Sequence, residues 1–311
     1  MRFAAAISKL LLWLATTAAL AVAIPAGWVQ TNVIDADGYA AMAQKAAGDP
    51  VLQSAVASEL TTRAMALIAA RGGGRYPVDS SQVHDAATVF TASPSFPPLF
   101  AQANRAAHGW LFTAPQSGQN GNQWLVDVAP MLKDPALQQL LSSYRVKLPA
   151  SLTVPLTVSV PSGSSGPQPL RQGQLNRLAT WGPWVSIGAM ALTGVCAVLT
   201  LLAARRRGKV LTSLGVSALI VGASGWAAIE VGGRYIDVAL NRTTGDIREI
   251  ADVMVGQAEA SLHQWLDLTL VAGVALVVFG VLVAMVGSVW KKPERRSFGE
   301  VAVGAAGLST R

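Results

Sequence analysis

Charged residues leave four long gaps in this chain. The windows Leu10–Ile34, Leu178–Ala204, Val210–Ile229 and Leu268–Trp290 contain no Asp, Glu, Lys, Arg or His. A helix crossing a hydrocarbon layer of about 30 Å needs roughly 20 mostly apolar residues, so each window predicts a transmembrane span. Trp181, Trp184, Trp226, Trp265 and Trp290 fall near the window ends, where amphipathic rings settle at a membrane–water interface.

Between the first two spans the pattern becomes amphipathic. Asp49-Pro50 predicts a helix start, because Asp caps free amides and Pro is preorganised at the first helical position. Leu52, Val56, Leu60, Ala64 and Leu67 follow as one apolar stripe, and Gly72–Gly74 with Pro77 end it. A second helix is expected from about Pro98 to Phe112, and a third from Asp134-Pro135. Residues 151–160, "SLTVPLTVSV", alternate as an edge strand would, with Pro155 barring a central position. "PSGSSGPQP" (161–169) reads as a flexible tether. Further on, Asp246 and Glu249 open a helix whose stripe of Ile247, Ile250, Met254, Ala258 and Leu262 leads toward the fourth span.

Charge orients this map. Residues 1–9, the loop 205–209 and the tail 291–311 together hold 11 basic residues and two acids, whereas 230–267 holds three basic residues and seven acids. Cytoplasmic segments are the ones enriched in Lys and Arg. The expected order is a cytoplasmic N-terminus (1–9), span one (10–29) and an extracytoplasmic domain (30–177). Span two (178–204), a cytoplasmic loop carrying Arg205, Arg206, Arg207 and Lys209, and span three (210–229) follow. An extracytoplasmic helical segment (230–267), span four (268–290) and a cytoplasmic tail (291–311) complete it. The predicted fold class is therefore a mainly α membrane protein with four transmembrane helices and a mostly helical extracytoplasmic domain inserted between spans one and two. The plasma membrane is the expected location, with both termini cytoplasmic. Residues 10–23 resemble a signal-peptide core ending in "AVA", but Pro25 and the continuing apolar run favour retention of the span.

Composition agrees. Of the residues, 51% are hydrophobic and 13% charged, against about 25% charged in soluble domains, so much of the surface faces lipid. The net charge of +7 does not suggest nucleic acid, because it sits on short loops whose flanks enter the bilayer. Around Arg205–Lys209, Ala203 and Val210 occupy places where a phosphate-binding loop needs Gly and Ser or Thr. That run is read as a topology determinant, with anionic lipid headgroups as secondary contacts.

Signals for chemistry are sparse. The single cysteine, Cys196, and three scattered histidines, His84, His108 and His263, offer no metal-ligand spacing, and no cofactor or metal is expected. No nucleophile elbow or metalloprotease motif occurs. His108 reads as a structural hydrogen-bonding histidine and Cys196 as a packing residue. Spans without ionisable residues argue against a proton-coupled pump. Gly273, Gly280 and Gly287 recur every seven positions and predict close helix packing. Asp127, inside the apolar run "WLVDVAPML", needs a partner if buried, and Arg105 is the candidate.

Several stretches, "VIDADGYAAMAQKAAGDPVLQSAVASELT" (33–61), "FAQANRAAHGWL" (100–111), "LVDVAPML" (125–132) and "LNRLATWGPW" followed by "ARRRGKVL", resemble a family of actinobacterial multi-pass membrane proteins with one long outer loop after the first span. The resemblance implies an envelope membrane protein and carries over no catalytic residue. The expectation is a non-enzymatic envelope protein, acting as scaffold or accessory subunit through its outer domain. Its partners would be the bilayer and other envelope membrane proteins. The alternative is a transporter or channel component handling lipid-like or apolar cargo.

Overall fold

A computed structural model describes residues 2–70, 79–114, 123–127, 138, 155–159, 173–202, 207–241 and 245–289. Arg205, Arg206, the tether and the tail lie outside them, as does the expected helix from Asp134 apart from Gln138.

The first span is α1 (Arg2–Val29), extended by one π-helical stretch, Gln30–Ile34. Pro25 lies inside α1 without ending it. Thr31 and Asn32 return their side chains to the Gly27 and Trp28 carbonyls, which satisfies acceptors where the helix is about to stop. Asp35 breaks the run with an extended backbone, and its carboxylate accepts from the Gly38 amide at 2.8 Å, which starts α2 (Ala36–Ala46).

The expected Asp49-Pro50 signal opens α3 (Pro50–Ala70), with the Asp49 carboxylate accepting from Val51 N at 2.8 Å. Next comes α4 (Ser80–Thr91), capped by Asp79; hydrogen bonds from the Ser81 amide and hydroxyl hold that carboxyl below its ordinary range. Then α5 spans Phe96–Phe112, starting two residues before the expected Pro98. Two short strands, β1 (Gln123–Asp127) and β2 (Pro155–Ser159), pair antiparallel with Asp127 opposite Pro155. Pro155 opens its strand, the place where a missing amide costs least.

Three long helices complete the chain: α6 (Asn176–Leu202), α7 (Arg207–Leu240) and α8 (Asp246–Val289). With α1 they make four helices long and apolar enough to cross a membrane. Large apolar side chains such as Trp184, Leu202, Val271 and Met285 stand exposed along them, a surface that lipid must cover. The structure is a mainly α membrane protein.

The helices α7 and α8 have 34 and 44 residues, about 51 and 66 Å at 1.5 Å per residue, so both project well past a hydrocarbon core of about 30 Å. The outer part of α8 is used for packing. Ile250, Val253 and Met254 lie against a core of Ala46, Ala47, Leu52, Phe90 and Phe96 contributed by α2 to α5. Phe90 meets Phe96 edge-to-face at 5.7 Å, a favoured aromatic geometry. The inserted domain and the fourth span therefore share one helix.

Candidate functional site

The membrane base is built on a glycine seam. Gly208, Gly215 and Gly222 recur every seven residues on α7; the first two meet the opposing glycine series on α8, and Gly222 faces the Leu270 side chain. A Cβ at Gly208 would lie 2.6 Å from Ala284 N, and one at Gly215 would lie 2.7 Å from the Gly273 carbonyl oxygen. In return, a Cβ at Gly273 would meet the Gly215 carbonyl at 3.1 Å, and one at Gly280 the Thr212 amide at 2.5 Å. Backbones approach this closely only where side chains are absent. Gly287 is the third member of the α8 series, but its surroundings lie outside the described contacts. The α7 glycines carry the same period-seven signal in the sequence as those of α8.

A second seam joins α1 to α7 by hydrogen bonds. Thr17 donates to Ser217 Oγ at 2.8 Å, Ser217 donates onward to the Ser213 carbonyl, and Trp13 Nε1 reaches that same carbonyl at 3.2 Å. Ser217 is fully buried. Polar groups at this depth have no water, so each is satisfied by a neighbouring helix.

Toward the inserted domain the three helices separate. Gly225, Ala228 and Gly232 form a stripe of small residues on α7, and they leave a cavity of about 620 Å³ unfilled. From α1 it is lined by Ile24, Pro25 and Trp28, and from α8 by Val255, Leu262 and Leu266. The wall is apolar except near Glu259 and Ser224. Tryptophans mark its level: Trp28 donates to Ser261 Oγ, and Trp226 donates to Asp267 while its ring lies 4.1 Å from that of His263. Indole rings anchored to polar partners in this way belong at a membrane–water boundary.

Directly above lies a polar cavity of about 380 Å³, which shares Ile229, Gly233, Val255 and Glu259 with the apolar one. Its wall carries the carboxylates of Glu230, Asp237, Asp252 and Glu259, with Arg234, Arg248 and His263. Arg248 is engaged by Asn241 and Asp252. The half-buried Glu259 reaches over Gly233 on α7, where a Cβ would sit 3.3 Å from its Oε1. Among the described residues Glu259 and Arg234 have no hydrogen-bond or ion-pair partner.

In the inserted domain His108 is buried, and its Nε2–H donates to the Val33 carbonyl at 2.9 Å. A carbonyl only accepts, so Nε2 carries the proton. The ring stacks on Phe112 at 4.1 Å and lies 5.3 Å from Tyr39, whose phenol burial pushes toward a higher pKa. No nucleophile stands beside it among the described residues.

Arg105 meets a different carboxylate among the described residues. Its Nη2 lies 2.7 Å from Asp37 Oδ1, because α5 packs along α2 and brings the two together. The side chain of Asp127 lies outside the described residues. Side-chain exposures of 54% and 82% make the Arg105–Asp37 pair a solvated surface contact rather than a buried clamp. Cys196 is buried within α6, and the described residues contain no group of His, Cys, Asp or Glu suited to a metal ion. Arg207 and Lys209 lie in the first turn of α7, with Lys209 exposed.

Comparison with known proteins bears on this membrane base. Residues 158–298 match the sequence profile of a family described as tryptophan-associated transmembrane protein. With four apolar helices of spanning length, that decides the class. The chain is a multi-pass membrane protein. The similarity takes in the last two residues of β2 and all of α6 to α8 and stops short of α1 to α5, so it covers the glycine seam and two walls of the cleft. No curated protein and no solved structure matches the chain.

Proposed function

We propose that the protein is a non-enzymatic scaffold or accessory subunit of the cell envelope. In this reading its helical domain stands outside the plasma membrane, while both termini and the Arg205–Lys209 loop face the cytoplasm. The observation that carries it is the unbroken helix α8, which runs from the hydrophobic core of the inserted domain into the membrane base. A domain fixed to its anchor by a shared helix presents its surface at a set height and angle, which suits a platform for neighbouring envelope proteins. Val51 and Val89 are exposed apolar residues on that domain.

Photo-crosslinking in intact cells tests the reading. A photoreactive residue at Val51 or Val89 is expected to give discrete adducts with another envelope protein. The same residue at Trp184, on the lipid-facing side of α6, should give none. Absence of protein adducts from the outer positions overturns the scaffold role.

A further inference from the structure

The two stacked cavities form one amphipathic cleft, and we infer that it holds a single zwitterionic, amine-bearing phospholipid. One acyl chain would lie in the apolar part between α1, α7 and α8, and the headgroup in the charged part above. The inference does not depend on the scaffold role.

Dimensions support it first. On α7 the two compartments together run from Val221 to Leu240, about 28 Å at 1.5 Å per residue, long enough for one leaflet including its headgroup region, about 20 to 22 Å. The order of its chemistry is that of a lipid in place. The apolar wall begins beside the glycine seam, the tryptophan level crosses it at Trp28 and Trp226, and the charged wall reaches farther along α7, to Leu240. An open apolar cavity of about 620 Å³ at the end of the membrane base is a natural seat for an acyl chain, which gains with every methylene it buries. Ala228 and Gly232 supply the room, and a larger side chain at either would fill it.

Charge selects the headgroup. With Arg248 already engaged by Asn241 and Asp252, the polar wall retains Glu230, Asp237 and Glu259 against Arg234. A lipid phosphate fits the guanidinium of Arg234, which can bind it with two hydrogen bonds. The surplus carboxylates, Glu259 first because it lines both compartments, call for a positive group beside that phosphate. An ammonium meets this demand. A purely anionic headgroup such as phosphatidylglycerol leaves the carboxylates facing a like charge.

Native mass spectrometry of the full chain tests this after extraction into mild detergent and incubation with equal amounts of phosphatidylethanolamine and phosphatidylglycerol. One phosphatidylethanolamine per chain is expected to survive delipidation, preferred about fivefold, the equivalent of roughly one favourable charge contact. Ala228→Phe, which fills the cleft, should abolish retention. Ala223→Phe, on the opposite side of α7 and exposed, should leave it intact. Should Ala228→Phe fail to fold, Glu259→Gln decides instead: lipid is still retained, but the preference falls to near parity. Three results overturn the inference: no lipid retained by the native chain, equal retention of the two lipids or a preference for phosphatidylglycerol, or an unchanged preference in Glu259→Gln.

Discussion

At the scale of single residues, the absent side chains matter as much as those present. A Cβ at Gly280 would stand 2.5 Å from the Thr212 amide nitrogen and 2.9 Å from the Gly208 carbonyl oxygen, so even alanine forces α7 and α8 apart. Overpacking of this kind costs about 1–3 kcal/mol. Gly280→Ala should therefore lower the thermal midpoint in detergent, while Val281→Ala, on an exposed neighbour, leaves it nearly unchanged. Equal midpoints would show that the seam has slack. His108 carries its weight through one hydrogen bond and one stack. His108→Phe keeps an aromatic ring against Phe112 but strands the Val33 carbonyl, at a cost of about 1–3 kcal/mol; slowed exchange or no change at the end of α1 would contradict that role, and faster amide exchange there is expected. Arg105 behaves oppositely. Its pairing with Asp37 is solvent-exposed, so Arg105→Ala and Asp37→Ala should each destabilise by less than about 1 kcal/mol, with a coupling to match in a double-mutant cycle.

At the scale of elements, what could be read in advance depended on contrast between neighbouring residues. The four spans stand out because charge vanishes for about 20 residues at a time, and α3 because Asp49-Pro50 introduces a stripe of large aliphatics. The helices α2 and α4 gave no such contrast. Five of the eleven residues of "ADGYAAMAQKA" are alanine, which favours a helix without marking a face. "SSQVHDAATVFT" mixes polar and β-branched residues over only three turns. Their signals were the caps, Asp35 and Asp79, each followed by an amide it accepts from. The cleft was illegible for a different reason: its α1 wall lies about 200 positions or more from its α7 and α8 walls, and only their meeting reveals that Ala228 and Gly232 face a void rather than a neighbour. The helix α8 offers the clearest test at this scale. Gly256 is exposed, midway between the domain core and the tryptophan level. Proline there removes a hydrogen bond and clashes with the preceding turn, costing about 3 kcal/mol. Gly256→Pro should leave the membrane base assembled but make the Leu52–Phe96 core markedly more sensitive to limited proteolysis. Unchanged protease resistance would mean that the domain holds its core without the continuous helix.

At the scale of the whole molecule, the asymmetry of charge and the geometry of the helices give one arrangement. Four cations crowd residues 205–209 at the α6–α7 junction, while residues 230–267, around the opposite junction, carry seven acids against three basic residues. Moving the basic loop across a bilayer opposes the positive-inside bias, so we predict that it faces the cytoplasm and the domain faces out. The choice of probe position follows from the packing. Gly208 lies in the basic segment but is closed in by Ala284 and Gly280, and a cysteine there would disturb the seam it is meant to report on. Lys209 is exposed one residue further on, and Val89 and Ile247 are exposed on the domain side. Single cysteines at these three positions, in a Cys196→Ser background, can be challenged with a membrane-impermeant thiol reagent in intact cells. Val89→Cys and Ile247→Cys should label directly, and Lys209→Cys only after permeabilisation. Direct labelling at position 209 with protection at 89 and 247 inverts the molecule and removes the outer platform from the proposed role. The lipid cleft would survive that result, moved to the other leaflet, because the placing of its apolar wall and charged mouth along α7 and α8 is set by the helices themselves.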